Sequence, residues 1–194
     1  MTSSRNSRRD DDILLDAARE CVLRVGLRRT TLTDVASQAG VSRMTMYRRW
    51  PDMKSLVGDL MTREWGGLVG AAAERAEGGS PRERIVDGVV RAVVALREHP
   101  VFRRIVDVDP ETLLPYLVDR RGTSQDLILA RLTEDLRLGQ AEGSVRAADP
   151  ALLARGVLLT THGFVISAGT MTDAVAGVAL DTELRLLLDR YLAP

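Results

Sequence analysis

Apolar residues recur at helical intervals along almost the whole chain. Leu14, Ala17, Ala18, Cys21, Val22 and Val25 fall at spacings 0, 3, 4, 7, 8 and 11, the signature of a helix with one buried stripe. The pattern predicts a first helix over 11–25, with Asp10 to Asp12 at its start, where acids complement the dipole, and Gly26 just past its end. Thr31 is placed to N-cap a short second helix, Leu32 to Ala39, with Asp34 three residues on in a capping-box arrangement. Leu32, Val35, Ala36 and Ala39 form its apolar face, and Gly40 ends it. Ser42 then caps a third helix, Arg43 to Arg49. Pro51 terminates it, because the residue before a proline avoids the α region.

The remainder reads as longer helices. One is expected over 52–77, interrupted by Gly66-Gly67, and the sharpest break in the chain is Gly78-Gly79-Ser80-Pro81. Ser80 as N-cap and Pro81 at the first helical position open a helix to Glu98. His99-Pro100 stops it, and a short helix over 101–106 follows. Asp109-Pro110 is expected to cap a helix running to Asp119. Further helices are expected from Thr123 or Ser124 to 141, with Ile128, Leu129, Leu132 and Leu136 as a spine, over 150–170, and over 181–192. No run alternates with the period of a strand, no Asn-Gly hairpin signal occurs, and no repeat is present. The expected fold is all-α, with nine or ten helices. A three-helix head (residues 1–56) precedes a helical-bundle body (residues 57–194).

The head carries the chemistry. Its second and third helices meet across Gly40-Val41-Ser42, with small Ala36 at the crossing and Val41 and Met46 placed to fill the angle. Gly40 takes positive φ at the corner without steric penalty. These are the requirements of a helix-turn-helix. The third helix exposes Arg43, Met44, Thr45, Tyr47, Arg48 and Arg49. A major groove admits one helix, whose N-terminal residues reach base edges. Arg43 suits a bidentate pair with guanine, Thr45 a thymine methyl or a phosphate, and Tyr47 a phosphate. Lys54, the only lysine of the chain, lies at the start of the next helix, where free backbone N–H groups favour phosphate.

Charge sharpens this picture. The formal net charge is zero, yet residues 1–50 hold ten Arg against six acids and residues 51–194 hold 17 basic against 21 acidic residues. A basic head on an acidic body fits nucleic acid as partner. With 45% apolar and 28% charged residues, the chain is no disordered tail, collagen or disulfide scaffold. Cys21 stands alone, so no internal disulfide forms. The polar stretch Met1 to Asp12 has no apolar core of a signal peptide, and a cytoplasmic protein is expected.

The stretch from Thr31 to Leu56 resembles the TetR/AcrR family of bacterial transcription regulators. The resemblance rests on Thr31, Val35, Ala36, Ala39, Gly40, Val41, Ser42, Met46, Tyr47, Trp50, Lys54 and Leu56, and it spans about residues 10–58. Met44 stands where the family commonly has glycine, which bears on which bases are read, and Trp50 replaces a common phenylalanine. The resemblance implies that Thr31, Ser42, Arg43, Thr45, Tyr47 and Lys54 occupy positions that often contact DNA. It also implies a body that dimerises and encloses a ligand pocket, and it favours repression.

The body supports a dimer independently. No charged residue occurs from Gly156 to Thr172, and a helix apolar all round needs cover on every side. The expected subunit face comprises Ile128, Leu132, Leu136, Leu152, Leu159 and Phe164, with Val157, Leu158 and Val165 as further candidates and Gly156, Gly163 and Gly169 allowing close approach. Thr160, Thr161, His162 and Ser167 and the shortness of the stretch argue against a membrane span. Met61, Trp65, Phe102, Tyr116 and His162 are candidates to line a pocket for a small hydrophobic effector, although each also suits plain packing.

Catalysis has little support. The two histidines lack metal-ligand spacing, Glu134 and Asp135 point apart on a helix, and Gly78-Gly79 lacks the Lys-Ser/Thr of a phosphate loop. Neither cofactor nor metal is expected. The leading expectation is a ligand-responsive repressor that binds a palindromic operator as a homodimer. Two others stay open: a helix-turn-helix protein without an effector, and a helical small-molecule-binding protein or enzyme in which the motif is incidental.

Overall fold

The computed structural model describes residues 3–173 and 175–194, with side chains from Asp10 onward. Nine α-helices account for most of them: α1 (Ser3–Val25), α2 (Leu32–Ala39), α3 (Arg43–Arg49), α4 (Met53–Glu74), α5 (Pro81–Glu98), α6 (Pro100–Val108), α7 (Thr123–Glu142), α8 (Pro150–Ile166) and α9 (Gly177–Leu192). No strand occurs among the described residues. The all-α expectation therefore holds, and the bounds of α2 and α3 agree with those read from their capping residues.

Several elements differ from expectation, among them α9, which begins at Gly177 rather than at 181. The first helix begins at Ser3, well before the acidic run. Helix α4 passes through Gly66-Gly67 without a break. A glycine costs roughly 1 kcal/mol within a helix, and the helix holds buried side chains on either side of the pair, Leu60 and Ala72. Asp109-Pro110 does not open a regular helix. Pro110–Thr112 is a single 3₁₀ turn and Pro115–Asp119 a π turn. Pro115 has no N–H and its ring clashes with the carbonyl four residues back. Helix α8 ends at Ile166, and Ala168–Met171 is a separate 3₁₀ turn.

Contacts divide the chain into two compact units, Met1–Glu64 with His99–Arg120, and Trp65–Glu98 with Arg121–Pro194. This division lies inside α4, and it groups α6 with the head. The reading of the chain as residues 1–56 and 57–194 follows the motif instead.

In the first unit, the α1 stripe of Leu14, Ala17, Ala18, Cys21 and Val22 is buried with Leu32, Val35 and Ala36 of α2, Met46 of α3, and Leu56 and Leu60 of α4. Helix α6 packs on α1 and contributes buried Val101, Phe102 and Ile105. Polar contacts tie α1 to α4: Arg19 Nε donates to Glu64 at 3.2 Å, and Arg63 pairs with Asp16 at 2.9 Å. His99 lies 3.4 Å from the same Glu64, and burial pulls its pKa down against the raising effect of that carboxylate.

The second unit packs α5, α7, α8 and α9 around Val86, Val90, Leu136, Leu153, Val157, Leu184 and Leu188. Leu132 and Leu136 lie inside this core, which corrects their assignment to a subunit face: their side chains already pack within their own chain. Ile128 and Phe164 pack against the same core and are half-buried. Leu152 and Leu159 face outward, 62% and 70% exposed. Helix α8 packs on α5, α7 and α9 and is left open along one face, which carries Leu152 and Leu159. Gly156 does permit a close approach, but to α9: a Cβ there would sit 2.3 Å from the Tyr191 hydroxyl.

Candidate nucleic-acid interface

Both helices of the motif are closed by their own neighbours in sequence. The Asp34 N–H donates to Thr31 Oγ1 at 3.2 Å, and the Thr31 N–H donates back to Asp34 Oδ2 at 3.0 Å. The Thr31 hydroxyl donates to the same carboxylate at 2.6 Å, and these bonds, the side-chain one first, hold the Asp34 pKa below its usual range. At the other end Gly40 sits at φ 67°, and the N–H of Val41 closes on Ala36 O at 3.0 Å. Ser42 then caps α3: its Oγ accepts from the Thr45 N–H at 3.1 Å and lies 2.9 Å from Thr45 Oγ1. The two hydroxyls share one hydrogen between them, so one of them retains a proton to donate outward.

Burial gives α3 two faces. Met46 and the following Trp50 are buried, at 0% and 1% exposure, and the Trp50 indole N–H donates to Asp59 at 2.8 Å. Ser42, Arg43, Met44, Tyr47, Arg48 and Arg49 are exposed, and Thr45 is half-buried beside Ser42. Met44 is 75% exposed and Tyr47 51%. This face therefore offers a thioether and a phenol, together with the arginines, to whatever docks on it, and covering them would remove apolar surface from water.

The three arginines of α3 differ in their engagement. Arg49 reaches back to α1 and forks onto Asp11, at 2.7 and 2.8 Å, with its guanidinium 5.1 Å from the Trp50 ring centre. It clamps the helix to its scaffold. No ion pair of Arg43 or Arg48 occurs among the described residues, so both remain exposed cations. This separates Arg49 from Arg43 and Arg48, with which it was grouped in the sequence. The residue that makes the difference, Asp11, lies 38 positions away on α1, beyond the reach of a local pattern.

Lys54 is exposed in the first turn of α4. That helix start is not fully open, because Asp52 Oδ1 accepts the Ser55 N–H at 2.7 Å. This backbone bond, with the Ser55 hydroxyl second, holds the Asp52 pKa below its usual range. An anion here would meet the Lys54 ammonium and the remaining N–H groups beside a carboxylate.

The model of the bacterial regulatory proteins of the tetR family matches residues 14–60. An HTH-type transcriptional regulator of Mycobacterium tuberculosis (strain ATCC 25618 / H37Rv), itself uncharacterized, is 35% identical over 193 residues, covering 99% of this chain and all of the relative. The chain belongs to the TetR family of bacterial transcription regulators. Among solved structures, the TetR-family transcriptional repressor QsdR of R. erythropolis has the same fold, with a TM-score of 0.70 at 18% identity over 95% of this chain and 96% of that one. The TetR regulator TylP of Streptomyces fradiae gives 0.67 at 18% identity, covering 97% and 88%. This family fold places the helix-turn-helix at the N-terminus and a helical body after it.

The candidate pocket residues of this TetR-family regulator fall in different places. Met61, Phe102 and Tyr116 belong to the first unit, and Trp65 and His162 to the second. Phe102 is buried in the head and the other four are half-buried. His162 Nε2 lies 3.3 Å from Gln125 Nε2, while Gln125 Oε1 accepts the Gly122 N–H at the start of α7. The Gln125 amide nitrogen is thus turned toward the ring, and burial lowers the His162 pKa. Among the described residues no cluster of His, Cys, Asp or Glu could hold a metal ion. No helix of the described residues is long and apolar enough to cross a membrane.

Proposed function

We propose that this regulator is a homodimeric repressor that docks α3 in the major groove of a near-palindromic operator and releases it when a small hydrophobic effector binds the body. The observation that carries the reading is the two-faced α3. Arg43, Met44, Tyr47 and Arg48 face outward while Met46, Trp50 and the Arg49–Asp11 fork fix the opposite side. Arg43 and Met44, in the first turn, are assigned to base edges. Thr31, Ser42, Thr45, Tyr47, Arg48 and Lys54 are assigned to phosphates or the groove wall. In a dimer the two heads would engage half-sites about one helical turn apart, ~34 Å. An effector shifts the equilibrium only by its difference in affinity for the bound and released states, typically about 1–3 kcal/mol. A cytoplasmic location, with access to the chromosome, is part of the same reading.

The exposed apolar row supports the dimer. Leu152 and Leu159 of α8 and Val178 and Leu187 of α9 are all more than half exposed, and burying them against a second copy removes that surface from water. Leu159→Asp is expected to give a folded monomer in sedimentation velocity. A dimer of unchanged stability would remove α8 from the interface. The function itself is tested by a salt-series anisotropy titration against a duplex selected by the chain from a random library, with scrambled duplex as control. Two subunits per site and a strong preference for the selected sequence are expected. Equal, weak binding to both duplexes would overturn the operator reading.

A further inference from the structure

The turn between α1 and α2 is held by a carboxylate far from it in sequence. Asp109, at the end of α6, is only 5% exposed. Its Oδ2 accepts the Leu27 N–H at 2.7 Å and the Arg28 N–H at 3.3 Å. Pro110 follows it, yet its side chain makes no capping bond to the turn that begins there; the carboxylate is turned toward the head instead. Gly26, at φ 91°, leaves the space: a Cβ there would stand 2.7 Å from the same Oδ2. The buried Thr30 hydroxyl completes the turn by donating to Gly26 O at 2.7 Å. Thr31, the N-cap of α2, is the next residue. Two further bonds run in parallel, from Arg104 to Arg24 O at 3.1 Å and between Arg28 and Glu111.

An ionised acceptor on two successive N–H groups is stronger than a neutral one, and a buried carboxylate stripped of those donors is costly. The two groups therefore fix each other. The backbone of residues 26–30 leads directly into α2, against which α3 packs. We infer that Asp109 is a positioning residue for DNA binding: by pinning the Leu27 and Arg28 amides it sets the entry angle of α2 and so the presentation of α3. This rests on the operator reading above.

The test compares full-length Asp109→Ala, Asp109→Asn and Gly26→Ala with the parent chain on the selected duplex and on scrambled duplex. Asp109→Asn keeps an acceptor oxygen in place, whereas Gly26→Ala leaves the carboxylate but drives a methyl into it. Asp109→Ala and Gly26→Ala are expected to lose at least tenfold in affinity for the selected duplex and little for the scrambled one. Asp109→Asn is expected to stay within about threefold of the parent. Ile105→Val, which loosens the same core without touching the turn, serves as a stability control and is expected to bind normally. Hydrogen exchange gives a second readout: the Leu27 and Arg28 amides lose protection in Asp109→Ala and retain it in Ile105→Val. Parent-like affinity and protection in Asp109→Ala would overturn the inference while leaving the operator reading intact. Equal losses in Ile105→Val would also overturn it, by reducing Asp109 to general stability. Failure of the parent chain to select any sequence would overturn the operator reading and this inference with it.

Discussion

Helices α2 and α3 and helices α8 and α9 solve the same problem in opposite ways. The first pair is short, eight and seven residues, below the length at which isolated helices persist in water. Each is closed by residues within three positions of its end, and what it leaves exposed is mainly polar or charged. The second pair is long, 17 and 16 residues. The N-cap position of α9, Ala176, offers no side-chain cap, and its exposed positions include Val178, Leu186 and Leu187. Local caps set the bounds of α2 and α3; α8 keeps one such cap, Asp149 on the Ala151 N–H, and α9 has none and depends on packing. The contrast matters for function: a charged outward face suits a polyanion that comes and goes, and an apolar outward face suits a partner that stays.

The deepest test of the contrast is in the cores. Leu188→Ala removes a side chain that is 1% exposed between α5, α8 and α9, and a loss of roughly 2–5 kcal/mol is expected. Met46→Ala strikes an equally buried side chain in the head, with a similar cost. If the two units unfold separately, denaturant titrations followed by Trp50 fluorescence, with Trp65→Phe as background, will move for Met46→Ala and stay for Leu188→Ala. Coincident shifts would show that the contrast in construction does not extend to cooperativity.

The body holds one ion cluster that resembles the head in its completeness. Asp87, 6% exposed, accepts from Arg91 and Arg185, both at 2.6 Å, and from the Glu77 N–H at 2.9 Å. Burial pushes its pKa up, but these three donors outweigh it and hold the carboxyl at about 2. A depressed folded-state pKa stabilises above the unfolded value, near 4, and that contribution disappears as pH falls through the folded value. The parent chain should therefore lose up to ~2 kcal/mol between about pH 4 and pH 2 that Asp87→Asn does not lose. Parallel acid-unfolding curves for the two would discount the cluster.

The outward faces provide a smaller effect and a finer distinction. Arg43→Ala should weaken binding by roughly 1–3 kcal/mol and flatten the preference at one base pair. Tyr47→Ala and Lys54→Ala should weaken all duplexes alike. Lys54→Ala should also reduce the salt slope by about one phosphate's worth. A parallel loss across every operator variant in Arg43→Ala would move that arginine from base edge to backbone.

How much was legible in the sequence follows the same contrast. Thr31, Asp34, Gly40 and Ser42 act on atoms within five residues, so the bounds of α2 and α3 and the buried side of α3 could be read directly. What Arg49, Asp109, Leu132 and Leu136 do depends on residues brought together only by folding. Arg49 reads as an exposed cation until Asp11 is beside it. Asp109 reads as a cap because proline follows it, and the competing donors at Leu27 and Arg28 lie more than 80 positions away. Leu132 and Leu136 carry no mark that tells a subunit face from a core, because an apolar stripe is the same signal in both.

The smallest effect separates the two regions most cleanly. Thr31→Ala deletes the hydroxyl that accepts the Asp34 N–H and leaves the rest of the cap in place. Loss of an N-cap costs about 1 kcal/mol, and here it also frees the Asp34 carboxylate from its hydroxyl donor, so the Asp34 pKa should rise toward its ordinary value. Asp34 is fully exposed, and that rise is read by carboxyl titration in NMR rather than as stability. Thr31→Ser, which retains the hydroxyl, should restore both cap and titration. If Thr31 also touches a phosphate, Thr31→Ser should restore affinity as well, whereas a cap restored without affinity would assign the contact to the missing methyl. The α9 start has no side-chain cap to delete, so Ala176→Ser there should be neutral or slightly stabilising, the opposite sign from Thr31→Ala.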